Sequence, residues 1–230
     1  MQWYWLPDYL PRFLEGILVT LELLGLSIFF GMALAIPIGL VQVTGPWPLA
    51  WAARLFCTVI RGTPLLIQIW LIYYGLGSLF PSIPGIRETM IWPLLREAFP
   101  YAVVAFSLSV AGYEGEVMRG AFRGVPRGEL EAARAMGMSP FTVLRRIWLP
   151  RALQNVFPTL AGEFILTLKS TPLAATITVY EVYGIGSIVR QETYRIYEPL
   201  LFVALIYLLL TFVMVIGFRL LERRMPRRTA

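Results

Sequence analysis

Residues 131–150 read EAARAMGMSPFTVLRRIWLP, a charged island between long apolar runs. Pro126 ends what precedes it, Glu129 and Glu131 put negative charge in the first turn of a short helix, and Ala132, Ala133 and Ala135 continue that helix with high propensity. Gly137 stops it. Ser139 is placed as an N-cap with Pro140 at the first helical position, which starts a second short helix through Phe141, Leu144 and Ile147. Pro150 precedes the next apolar run. The island predicts two short helices bent at a glycine, with Met136, Met138 and Phe141 near the bend. Such a knob suits insertion into another protein's groove, and a second reading makes it an amphipathic anchor lying on anionic headgroups.

Composition sets the surroundings of this knob. The chain of 230 residues is 57% hydrophobic, with a mean hydropathy of +0.67. Its apolar residues gather into runs long enough to span a bilayer core, for which about 20 residues suffice. The sequence predicts an all-α integral membrane protein with five spans at about 16–41, 54–80, 101–118, 153–169 and 200–221. The N-terminal stretch MQWYWLPDYLPRFLEG lacks the basic region and short apolar core of a cleavable signal peptide, so the first span is expected to stay in the mature protein. Cys57 is the only cysteine, which excludes an intrachain disulfide.

Orientation follows from the arginines, because basic residues in short loops stay cytoplasmic. Arg119, Arg123, Arg127, Arg134, Arg145, Arg146 and Arg151 crowd the third loop, and Arg219, Arg223, Arg224, Arg227 and Arg228 crowd the C-terminal end. Both are placed inside, so the N-terminus is outside and Ala230 inside. The net charge of +6 is therefore an orientation signal, and no nucleic-acid partner is expected.

Counting removes several functions. The chain has no histidine, which excludes an HExxH metal site and a Ser-His dyad. Its only aspartate, Asp8, lies outside the spans, so an intramembrane aspartyl pair is excluded. Lys169, the sole lysine, follows Leu168, so the GxxxxGK[ST] phosphate loop is absent and any use of ATP must come from another subunit. No catalytic residue, metal site or cofactor is expected in this chain.

Glu131, Ala132 and Ala133, with three residues between Ala133 and Gly137 and with Ile147, Leu149 and Pro150 closing the segment, resemble the EAA loop of ABC importer permeases. RGTPLL at 61–66 with Gln68, GYEGEVMRG at 112–120 and EFI at 163–165 are similar to the branch that imports polar amino acids and opines. That branch commonly reads Lys-Asp-Thr-Ser-Leu where this chain has KSTPL at 169–173. The resemblance implies a type I ABC importer permease fold in a bacterial plasma (inner) membrane, with residues 1–230 as one transmembrane domain and a cytoplasmic coupling loop at about 119–151. It implies a second permease subunit, alike or homologous, and two ATPase subunits that carry ATP and Mg. It also implies an external binding protein that delivers an amino acid. Glu131, Ala132, Ala133, Met136, Gly137, Met138, Phe141, Ile147, Leu149 and Pro150 form the implied ATPase-docking set. A membrane scaffold that binds a partner without transport is the alternative.

Two segments supply candidate pathway residues. Gly62 and Pro64 predict a helix break that turns Thr63 away from helical angles, and unwound backbone at membrane depth is tolerated where it lines a cavity. Arg61 and Gln68, seven residues apart, are expected on one face. Arg61 has two readings, a pathway wall or a side chain snorkelling to the cytoplasmic surface. In the fourth span, Thr159, Glu163 and Thr167 recur every four residues and Ser170 continues their face, with Lys169 beside it. Glu163 falls roughly 20 Å beyond Pro150 at 1.5 Å per residue, near the bilayer middle, where an ionisable group marks function. It is read as a substrate contact or as half of a bundle salt bridge with Arg61 or Lys169. Glu114 and Glu116 are expected to pair with nearby arginines.

Overall fold

Proline sets most of the helix starts. The computed structural model describes residues 4–224, so Arg227, Arg228 and the inward placing of Ala230 lie outside the described residues. Every regular element among them is helical: α1 Leu6–Thr44, α2 Trp47–Gly62, α3 Leu65–Trp70, α4 Gly77–Leu79, α5 Trp92–Arg96, α6 Ala98–Arg123, α7 Arg127–Ala135, α8 Pro140–Val143, α9 Leu149–Ser170, α10 Val182–Thr193 and α11 Tyr197–Arg224. Pro46, Pro64 and Pro126 immediately precede α2, α3 and α7, where a missing N–H leaves no ladder bond unmade.

The expected break in the second span is present. Pro64 has φ −62° and ψ 134°, extended values that separate α2 from α3. Arg61 and Gln68 therefore belong to different helices, and their seven-residue spacing no longer gives them a common face. Beyond α3 the chain passes through a π-helical turn at Leu71–Leu76.

Among the described residues, three helical stretches are long and apolar enough to cross a membrane: Leu6–Thr44, Leu65–Ser82 and Tyr197–Arg224. A fourth is the pair Pro140–Ile177 and Val182–Thr193, bent by 49°. The expected third span lies within α6, which carries Glu114, Glu116, Arg119 and Arg123 and is not in that set.

The chain forms two compact units. Of the described residues, the first contains 4–29, 63–107 and 165–214. One of its cores gathers Leu23, Ile69, Ala102, Phe106, Ala174 and Ile177; another gathers Trp5, Phe13, Val182, Val189, Val203 and Ile206. The second unit contains the described residues 30–62, 108–164 and 215–224, with a core around Met118, Phe122, Leu130, Ala133, Val143 and Ala152. In this second unit α6 approaches its neighbours closely through glycine. A Cβ on Gly39 would meet Met118 Cβ at 2.7 Å and the Arg119 backbone nitrogen at 2.9 Å, and one on Gly112 would meet Ile60 Cγ2 at 2.5 Å. Small residues at such crossings let backbones pack without a hydrophobic drive between helices, which lipid does not supply.

Candidate functional site

The knob folds as its sequence dictates, with one departure. Glu129 in the first turn of α7 pairs with Arg151 at 3.1 Å. After Ala135 the chain turns through Gly137 at φ +80°, and the turn closes with Gly137 N–H to Arg134 O at 2.9 Å and Met138 N–H to Ala133 O at 3.2 Å. Ser139 caps α8, its Oγ accepting from the Thr142 amide at 3.3 Å. The departure is at Pro150. Helix continues from Pro140 through a π turn at Leu144–Trp148 into α9, so the second knob helix and the fourth span form one run. The widened π turn lies just where Pro150 withholds a ladder donor, and the helix passes through without ending.

This geometry divides the docking set by face. Ala133 is buried in the core of the second unit, and Met138, Ile147 and Leu149 pack against that core. Trp148 Nε1 donates to Phe122 O at 2.8 Å, and its ring meets the Phe122 ring edge-on at 5.3 Å. These contacts fasten the knob to α6. Glu131, Ala132, Met136, Gly137 and Phe141 are exposed, Met136 at 79% and Phe141 at 70%. Pro150 is half-buried. Two large apolar side chains held outward beside a left-handed glycine form a preformed contact surface.

The break residues serve different ends. Gln68, buried on α3, donates through Nε2 to Thr63 O at 3.0 Å and to Thr63 Oγ1 at 2.9 Å, which ties down the unwound backbone; Thr63 itself is exposed. Arg61 lies exposed at the end of α2, with its guanidinium 5.8 Å from the centre of the Tyr113 ring.

Along α9 the polar positions keep their helical period. Thr159 is exposed and Glu163 half-buried in the second unit. In the first unit Thr167 is half-buried, Lys169 exposed, and Ser170 Oγ bonds back to Leu166 O at 2.9 Å. Glu163 lies within electrostatic range of Glu114 on α6. Glu116 pairs with Arg119 at 2.5 Å, as expected, but Glu114 does not pair with an arginine: it is buried at 1% exposure and its Oε2 has no hydrogen-bond partner among the described residues. Its position on α6, two residues from Glu116, turns it by about 200° around the helix and away from Arg119.

Sequence reasoning missed a buried network in the first unit. Glu181 caps α10, accepting from the Tyr183 amide at 2.9 Å and the Gly184 amide at 2.7 Å. Tyr207 of α11 donates to Glu181 at 2.5 Å and shares a hydrogen bond with Thr171 at 2.9 Å. Thr20 of α1 accepts from the Val182 amide at 3.2 Å. A carboxylate N-cap before the apolar positions 182, 185 and 189 was the available signal.

A family profile described as "Binding-protein-dependent transport system inner membrane component" matches residues 26–227. The chain belongs to this family. It is a permease subunit of an ABC importer, and catalysis of ATP hydrolysis resides on a separate subunit. The octopine transport system permease protein OccM of Rhizobium meliloti is 42% identical over 221 residues, covering 94% of this chain and 89% of that one. The histidine/lysine/arginine/ornithine permease HisM of Salmonella typhimurium is 35% identical over 209 residues, covering 91% and 88%. Among solved structures, one described as an amino acid ABC transporter with histidines superposes with a TM-score of 0.81 at 31% identity, covering 98% of this permease and 99% of that chain.

Proposed function

We propose that this permease carries polar amino acids or opines across a bacterial inner membrane as the five-span subunit of a type I importer, with residues 1–230 as its transmembrane domain. The N-terminus is outside and the C-terminus inside. A second permease subunit, alike or homologous, completes the pathway. Two ATPase subunits holding ATP and Mg dock on the exposed faces of the knobs, and an external binding protein delivers substrate. The observation that carries this reading is the knob: Met136 and Phe141 face outward on a turn fastened to α6, and its second helix runs unbroken into α9, which bears Glu163. A push on Phe141 therefore reaches the polar stripe through a single helical run. Binding of ATP shifts the pathway outward only to the extent that the closed ATPase pair binds the outward state more tightly. Names of relatives that carry octopine or histidine, lysine, arginine and ornithine support the substrate class.

Proteoliposomes containing the permease, its ATPase and its binding protein should take up labelled arginine or octopine in the presence of ATP and not without it. A scaffold would give no uptake under either condition. The topology is checked separately. Ser82 and Ser139 are both exposed, and Cys57 is fully buried. Single cysteines at Ser82 and Ser139, in a Cys57→Ser background, should react with an impermeant maleimide in intact cells only at position 82. Reaction at position 139 from outside would overturn the orientation and the ATPase contact together.

A further inference from the structure

We infer that Glu114 is a second carboxylate of the substrate pathway and that, together with Glu163, it selects substrates whose side chain presents a cation, an ammonium or a guanidinium. This rests on the reading of Glu163 as a pathway residue. Glu114 sits on α6 at 1% exposure, and among the described residues it makes no ion pair and no hydrogen bond, its Oε2 being enclosed without a partner. Glu163 of α9 acts on it electrostatically within the same unit. Arg61, one of the two candidate salt-bridge partners for Glu163, lies over the Tyr113 ring.

Glu116 supplies the contrast. Two residues further along α6, it has the partner that a structural carboxylate needs, Arg119. A buried carboxylate without such a partner is unfavourable when ionised, and a second carboxylate nearby makes it more so. A cationic group placed between the two relieves both penalties at once. A neutral side-chain amide can donate a hydrogen bond but brings no charge to offset the second carboxylate. The pair thus discriminates by charge, through the discomfort of the empty site as much as through attraction in the filled one. Planar guanidinium suits two carboxylates especially, because its five N–H donors can serve both.

The test uses the assembled permease–ATPase complex in detergent, without the binding protein, and L-arginine and L-glutamine as probes. Glu114→Gln should weaken L-arginine binding at least tenfold and leave L-glutamine within twofold. Because the substitution replaces a buried carboxyl that has no partner with an uncharged group of the same shape, the ligand-free variant should melt no lower than the parent complex. Unchanged L-arginine affinity, an equal loss for both amino acids, or a parent that binds no L-arginine would each overturn the inference. So would a variant that melts lower or fails to assemble, since that outcome makes Glu114 structural. Glu163→Gln measured alongside separates the two ideas: a loss there with none in Glu114→Gln sinks only the second carboxylate, whereas no loss in Glu163→Gln sinks the pathway reading on which it stands.

Discussion

Phe141→Asp should strip the ATPase subunits from the permease while the permease stays folded in the membrane. Phe141 is 70% exposed at the first turn of α8, next to the Gly137 bend and the equally outward Met136. A large aromatic at the centre of an interface is the kind of residue whose loss costs about 2 kcal/mol or more, roughly thirtyfold in affinity. Aspartate adds the burden of desolvating a charge in the groove. The fold has little stake in the change, because the side chain contributes to no described core cluster. Val143→Asp makes the useful comparison. Val143 is 2% exposed inside the core of the second unit, so a charge there should lower the amount of permease recovered from membranes. Membrane content and ATPase stoichiometry after affinity purification read the two effects apart. A headgroup anchor predicts otherwise: Phe141→Asp would loosen the knob from lipid and leave ATPase retention at the parent level, and that result would remove the docking surface.

The knob was legible because its chemistry is local. A proline that cannot continue a helix, a glycine at φ +80° and a serine cap each act within three or four residues, so Pro126, Gly137 and Ser139 could be placed without knowing what they touch. The break at Thr63 and Pro64 was readable for the same reason. Long-range packing was not. Ala133 and Phe141 sit in one short segment, yet one is buried in the core that also holds Phe122 and the other faces out, a difference that packing with distant segments sets. Pro150 was a misleading signal, since the π turn before it absorbs the missing donor. Glu114 and Glu181 were harder still. Each is a glutamate in an apolar setting; Glu181 accepts from Tyr207 and two amides while Glu114 feels Glu163 electrostatically, and only the cap pattern ahead of positions 182, 185 and 189 sets Glu181 apart in sequence.

Glu163→Gln should assemble normally with the ATPase, hydrolyse ATP without substrate, and transport poorly, with cationic substrates impaired more than neutral ones. Glu163 is half-buried on α9, in a helical run whose other end is the docking knob, and glutamine keeps its shape while removing its charge. A polar amino acid brings at least one ammonium. An ion pair at about 4 Å is worth about 4 kcal/mol at an effective dielectric of 20, before the desolvation of both charges is subtracted. Even if two thirds of that is lost, the remaining ~1.4 kcal/mol is a tenfold change in binding and exceeds the scatter of an uptake assay. Substrate with two positive groups loses more than substrate with one, which is why arginine uptake should fall further than glutamine uptake. A carboxylate serving only as half of a bundle salt bridge behaves differently. Breaking such a pair strands its cation in the membrane and costs about 3–5 kcal/mol of stability, so the variant would be recovered in low yield, and whatever assembled would transport at the parent rate. Assembly, ATP hydrolysis and uptake measured on the same preparation distinguish these cases, because the first two report the fold and the docking while the third reports the pathway. Normal uptake per assembled complex would eliminate Glu163 as a substrate contact.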